Sequence, residues 1–252
     1  MKKSPQKKDP LDGKVGYLLI ATILVQFLYP ISISDSVWVL IAFQIFYISL
    51  FVAGIYLVSS NQLHKRILIG ATVLWLISGA TFAFNPDLQW LNFAIYIILL
   101  FFMISLTGVL IRYIFQSTSV NFDVLLAACT VYLLLGGIFA TLFNFIEVLT
   151  WFPEQTSHAF VDGLNPDAYK NEIFPWQTIV YYSYATLTTL GYGDVLPLTP
   201  WARTVAAFEA VVGVLYTAVI VARLVGLYAA NEVEEEFKGE REKEEREMEK
   251  LN

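Results

Sequence analysis

Cysteine, histidine and charge are all scarce in this chain, and each shortage closes off a class of chemistry. Its 252 residues hold one Cys, two His and 15% charged side chains against 57% hydrophobic ones. Cys129 has no second thiol for an intrachain disulfide and is expected to be a packing residue. His64 and His158 are well separated, so no catalytic or metal-binding cluster forms and an enzyme is not expected. As lone histidines they are expected to be ordinary exposed side chains rather than pH sensors. Arginine and lysine are also missing where a charge ladder would need them, since the apolar run around residues 90–115 carries only Arg112. Moving a unit charge through the membrane field yields only about 2.3 kcal/mol per 100 mV, so steep voltage dependence is not expected.

What the sequence has is apolar length. A bilayer core of about 30 Å needs about 20 consecutive apolar residues in a helix. Six runs qualify: Val15 to Ile33, Ser36 to Val58, Ile67 to Phe84, Trp90 to Phe115, Phe122 to Leu149 and Pro200 to Ala229. The first is too long for the apolar part of a cleaved signal peptide and is expected to be retained. Lys2, Lys3, Lys7, Lys8 and Lys14 precede the first run, Lys65 and Arg66 lie between the second and third, and Arg112 ends the fourth. The alternate connections contain only Lys170, so the basic ends are assigned to the cytoplasm. Both termini then lie inside a multi-pass protein of the cell membrane.

Four segments follow. Residues 1–14 form a cytoplasmic N-terminus, 15–115 a domain of four closely connected helices, 116–230 a second unit of different plan, and 231–252 an acidic tail. The tail holds ten Glu against five Lys and Arg, which accounts for most of the net charge of -6. It has helix-forming residues without a sustained apolar heptad, and so reads as an extension of the last helix rather than a coiled coil. Between the two long runs of the second unit lies the polar loop Trp151 to Phe174. In it Glu154, Asp162, Asp167 and Glu172 outweigh Lys170 and could concentrate cations outside, although a solvated loop explains them equally well.

The aromatic segment PWQTIVYYSYATLTTL after this loop is too short to cross a bilayer. It reads as a re-entrant helix, with Pro175 suited to its first turn. Irregular backbone at membrane depth survives only where protein buries it or where it lines a water-filled path. Thr189, Leu190, Gly191, Tyr192 and Gly193 follow as an extended strand whose alternate glycines can adopt angles closed to other residues. Successive carbonyls can then point one way. Four such strands around an axis would stack rings of oxygens that replace the hydration shell of a cation, with the Thr189 hydroxyl completing the innermost ring. One chain supplies one strand, so a closed ring takes four subunits.

The stretch TLTTLGYGD, residues 186 to 194, resembles the signature filter of the potassium channel superfamily. The resemblance continues into RTVAAFEAVVGVLYTAVIVARLVGLY, similar to the inner helix of bacterial one-pore channels, and covers about residues 122 to 230. The first four helices are similar to a sensor domain only in number and placement, and they lack gating charges. The resemblance implies an all-α membrane protein with six transmembrane helices, a re-entrant pore helix and a filter loop in a tetrameric pore. The expected activity is passive, K+-selective conduction, with K+ held by the carbonyls of Thr189, Leu190, Gly191 and Tyr192 and by the Thr189 hydroxyl. Expected partners are three identical subunits and membrane lipid, with no nucleic acid, no small-molecule substrate and no cofactor beyond the permeant ion. Competing readings are a weakly selective cation channel and a non-conducting regulatory subunit.

Leu190 departs from the commoner Val or Ile of the family and is expected to pack behind the strand against the pore helix. By spacing, Tyr182 and Thr186 are candidates to bond the Tyr192 hydroxyl, and Tyr181 is a candidate partner for Asp194. Relatives often place a carboxylate in the pore helix where this chain has Ala185. Gly213, mid-way along the last helix, is a candidate hinge, with close helix approach as the equal alternative. Glu209, one turn earlier, is expected to face pore-helix hydroxyls behind the filter in its protonated form, or else only to fix packing. Arg223 is expected to meet Asp123 or the acidic tail and to lock a cytoplasmic gate.

Overall fold

The computed structural model describes residues 11, 13–27, 37–58, 62–84, 88–152, 157–170 and 172–251. The N-terminal lysines before Lys14, Glu154 and the end of the first apolar run after Phe27 lie outside the described residues. Four helices precede the second unit: α1 Val15–Phe27, α2 Val37–Leu57, α3 Gln62–Phe84 and α4 Gln89–Gln116. α5 spans Phe122–Trp151, α6 Trp176–Leu187 and α7 Pro200–Leu251, and two three-residue strands, β1 Phe160–Asp162 and β2 Val195–Pro197, flank α6.

Among the described residues, α3, α4, α5 and the first part of α7 are each long and apolar enough to cross a membrane, while α1 has 13 residues. α6 has 12 residues, about 18 Å at 1.5 Å per residue, which is too short to cross. Asn121 starts α5 by accepting the Val124 N–H at 2.8 Å, which satisfies a donor that the first turn would leave open. Pro175 sits one position earlier than the sequence suggests, as the cap of α6. Its carbonyl receives the N–H groups of Thr178 and Ile179, which suits a residue with no N–H of its own. α7 runs 52 residues without a break, so the acidic tail is continuous with the apolar part of that helix.

The boundary near residue 115 is not a boundary in the core. Both α1 and α4 pack on α5, and one apolar cluster joins Leu18, Phe51, Phe102, Leu106 and Val131 to Ile220 of α7. Composition divides the chain there because it records polarity along the sequence, whereas burial depends on which helices lie side by side. A second cluster sits at the other end of α5. Tyr182 of α6 lies between the rings of Phe143 and Phe160, with centroids 5.2 and 5.1 Å away, in edge-to-face contacts.

Arg223 is not where its charge suggests. Its Nε donates to the Ile114 carbonyl at 3.1 Å, and its second guanidinium nitrogen donates to Phe115 and Ser117 carbonyls at 2.7 and 3.0 Å. These oxygens close α4, whose last carbonyls have no partner within the helix and carry the negative end of its dipole. Asp123 instead accepts the Gly13 N–H at 3.1 Å. Cys129, expected to pack, is exposed on the single chain.

Candidate functional site

The stretch after α6 is pinned by its own N–H groups. Thr189 N–H reaches the Thr186 carbonyl at 3.0 Å, and Leu190 and Gly191 N–H reach the Ala185 carbonyl at 2.8 and 3.1 Å. No cis peptide bond occurs among the described residues, and in a trans peptide the carbonyl of one residue points opposite to the N–H of the next. The carbonyls of Thr188, Thr189 and Leu190 therefore point away from the end of α6. Keeping successive peptides aligned needs alternating backbone handedness, and φ is +59° at Thr189, +54° at Gly191 and +77° at Gly193. Glycine meets this demand without steric cost, whereas Thr189 adopts it at a cost of about 1–2 kcal/mol, offset by the N–H bonds on either side.

The outer end of the stretch is tied on three sides. Tyr181 donates from its hydroxyl to Asp194 Oδ2 at 2.7 Å, the pairing suggested by spacing. Asp194 Oδ1 accepts Val195 N–H at 3.1 Å, and the Asp194 carbonyl accepts Gly163 N–H at 2.7 Å. β1 and β2 pair antiparallel with Val161 opposite Leu196, so the loop before α6 is stitched to the residues after Asp194. Gly163 lies so near that a Cβ there would sit 3.0 Å from the Gly193 carbonyl oxygen. Replacing Tyr181 with Phe removes one charge-assisted bond, worth about 1.5–3 kcal/mol. We expect a lower melting temperature and faster loss of current during sustained activity, and unchanged values of both would sink the proposed role of this contact.

Other expected contacts are not made within one chain. Tyr182 bonds Thr186 and packs against aromatic rings, while Tyr192 is 70% exposed, so neither Tyr182 nor Thr186 is brought to the Tyr192 hydroxyl. Leu190 is likewise 52% exposed instead of packing against the pore helix, because the N–H groups at 190 and 191 already occupy the end of α6.

Behind α6, side-chain hydroxyls bond carbonyls of α5. Tyr184 donates to Leu133 at 2.7 Å and Ser183 to Gly136 at 2.8 Å, and Tyr216 of α7 donates to Ala128 at 2.6 Å. Glu209, fully buried, meets Ser183 Oγ at 2.5 Å, so it faces a hydroxyl of α6. Gly213 lies directly against the Leu187 carbonyl, the last of α6. Below the stretch, Thr188, Thr189, Gly213, Val214 and Thr217 line a cavity of about 500 Å³.

Sequence reasoning passed over Glu147. Its Oε1 meets His158 Nδ1 at 2.8 Å and Phe174 N–H at 3.3 Å, and its Oε2 accepts Ala159 N–H at 2.7 Å. His158 is therefore not a lone exposed ring: it is mostly buried and stacks on Trp151 with centroids 4.5 Å apart. A carboxylate inside an apolar run was the signal available. In the loop between α5 and α6, Lys170 pairs with Asp167 at 2.7 Å, which offsets part of the acidic charge there.

Residues 122–229 match the family model described as ion channel. No curated protein matches the chain.

Proposed function

We propose that this chain, whose residues 122–229 match the ion-channel family, is one subunit of a homotetrameric channel that conducts K+ passively and selectively across the cell membrane. The observation that carries the reading is the row of carbonyls at Thr188, Thr189 and Leu190 turned away from α6, beside alternating positive φ at Thr189, Gly191 and Gly193. Rings of such oxygens stand in for the water around a dehydrated cation. A single chain has no ring, and exposed side chains support assembly. Only 22% of the membrane stretch of α7 is buried within one chain against 61% for α5, and Phe208, Val211 and Leu215 are exposed on it. Tyr192 and Leu190 then find their packing against neighbouring subunits. Both termini face the cytoplasm in this reading, by the placement of Lys and Arg. Arg112 alone on α4 supports conduction without steep voltage dependence.

The decisive experiment is the reversal potential of the purified protein in a planar bilayer with potassium on one side and sodium on the other. A large displacement toward the potassium equilibrium potential is expected. Reversal near zero at equal concentrations gives the weakly selective reading instead and directs attention to Leu190.

A further inference from the structure

Ser183 has one hydroxyl hydrogen and two oxygen neighbours. Its Oγ lies 2.8 Å from the Gly136 carbonyl of α5 and 2.5 Å from Glu209 Oε1 of α7. A backbone carbonyl only accepts, and an ionised carboxylate only accepts. With Glu209 ionised, one hydrogen would face two acceptors and one short oxygen contact would be repulsive. A protonated carboxyl removes the conflict: Glu209 donates to Ser183, and Ser183 donates to Gly136. The 2.5 Å separation is at the short end for an O–H···O bond.

The surroundings agree. Glu209 is 0% exposed, and its Oε2 has no hydrogen-bond partner among the described residues. The ionisable groups that face it are the phenols of Tyr132 on α5 and Tyr182 on α6, with no cation paired to it among the described residues. An unpaired buried charge costs several kcal/mol, whereas a neutral acid with one open carbonyl lone pair costs far less. α6 and α5 pack closely beside this contact, because Tyr184 fills the space where a Cβ on Gly136 would stand.

We propose that Glu209 is held in its acid form and acts as a hydrogen-bond donor, heading a relay through Ser183 to Gly136 that fixes the pore helix between the inner and outer helices. It is a positioning residue. Ser183 stands two residues before Ala185, whose carbonyl receives the N–H groups of Leu190 and Gly191, so the relay sets the depth of the carbonyl row. α7 thus supplies behind α6 a carboxyl of the kind that α6 itself lacks at Ala185.

The inference rests on residues 189–193 forming the ion path, but its test does not require current. Infrared spectra of the full-length protein in lipid at neutral pH should contain a protonated-carboxyl stretch that is lost in Glu209→Gln and moves to higher frequency in Ser183→Ala. Glu209→Gln keeps a neutral donor of the same shape, and its potassium flux into vesicles should stay within about twofold of the original. Glu209→Ala should lose about tenfold, the scale of one buried hydrogen bond. Absence of a protonated band, a band unmoved by either variant, or Gln as damaging as Ala overturns the proposal. If Glu209→Gln fails to assemble, the Ser183→Ala shift still decides it. A channel that proves non-selective or silent leaves the infrared result standing.

Discussion

Adding one methyl group at residue 213 is expected to cripple conduction. A Cβ there would fall inside the contact distance of the Leu187 carbonyl oxygen, with Leu187 C and Cδ1 both at 3.1 Å. Two of these atoms are backbone, so no rotamer change relieves the clash. Leu187 is 1% exposed and cannot retreat outward, and its carbonyl also lies 3.4 Å from the Tyr132 hydroxyl. Overpacking of this kind costs about 1–3 kcal/mol in each chain. Leu187 precedes Thr189 by only two residues, so its displacement passes directly into the carbonyl row. Gly213→Ala should lower both the melting temperature of the purified oligomer and potassium flux in vesicles. Gly226→Ala is the control, since nothing lies within 4 Å of a Cβ there and alanine favours a helix by about 1 kcal/mol. A normal melting temperature with altered open probability alone would restore the hinge reading of Gly213.

The second large effect is expected at Glu147. Its carboxylate collects the Ala159 and Phe174 N–H groups and the His158 ring, all at the base of the outer loop. With Glu147 ionised, the hydrogen on His158 must sit on Nδ1 to donate, and stacking on Trp151 keeps the ring in that plane. Truncation to Ala leaves three donors without their acceptor, two of them on the buried residues Ala159 and Phe174. Leaving a buried donor without its acceptor costs about 1–3 kcal/mol each. The damage travels along a short path, from Ala159 into β1, across to β2, and through Gly163 N–H to the Asp194 carbonyl. Glu147→Ala should make the loop over 157–170 sensitive to limited proteolysis and reduce sustained current. Glu147→Gln should recover part of the loss, because the amide oxygen still accepts while its NH₂ opposes one donor. Unchanged protease resistance in Glu147→Ala would show that the clamp does not hold the loop.

Local contacts were the most legible from sequence. Tyr181 and Asp194 are 13 residues apart on a short helix and the turn after it, so spacing alone could suggest their bond. Arg223 was misplaced because its carbonyl partners are 106–109 residues away and carry no charge that a sequence displays. Glu147 was missed because the run around it passes for uniformly apolar. Gly213 left hinge and close approach equally open, because a helical glycine reads the same whether its missing Cβ permits bending or admits a neighbour.

By itself the sequence determined where the chain can be helical in lipid, where it must leave the helix, and where glycine is required. These follow from charge-free length and from the φ angles open to glycine, both properties of consecutive residues. Only the tertiary structure decided that Glu209 meets Ser183, that α7 touches the end of α6 at Gly213, that Arg223 closes α4, and that Glu147 anchors the outer loop. Those contacts depend on which oxygens and hydrogens distant segments bring within 3 Å of one another. A buried polar group takes whatever partner the packing supplies, and residue type alone does not name it.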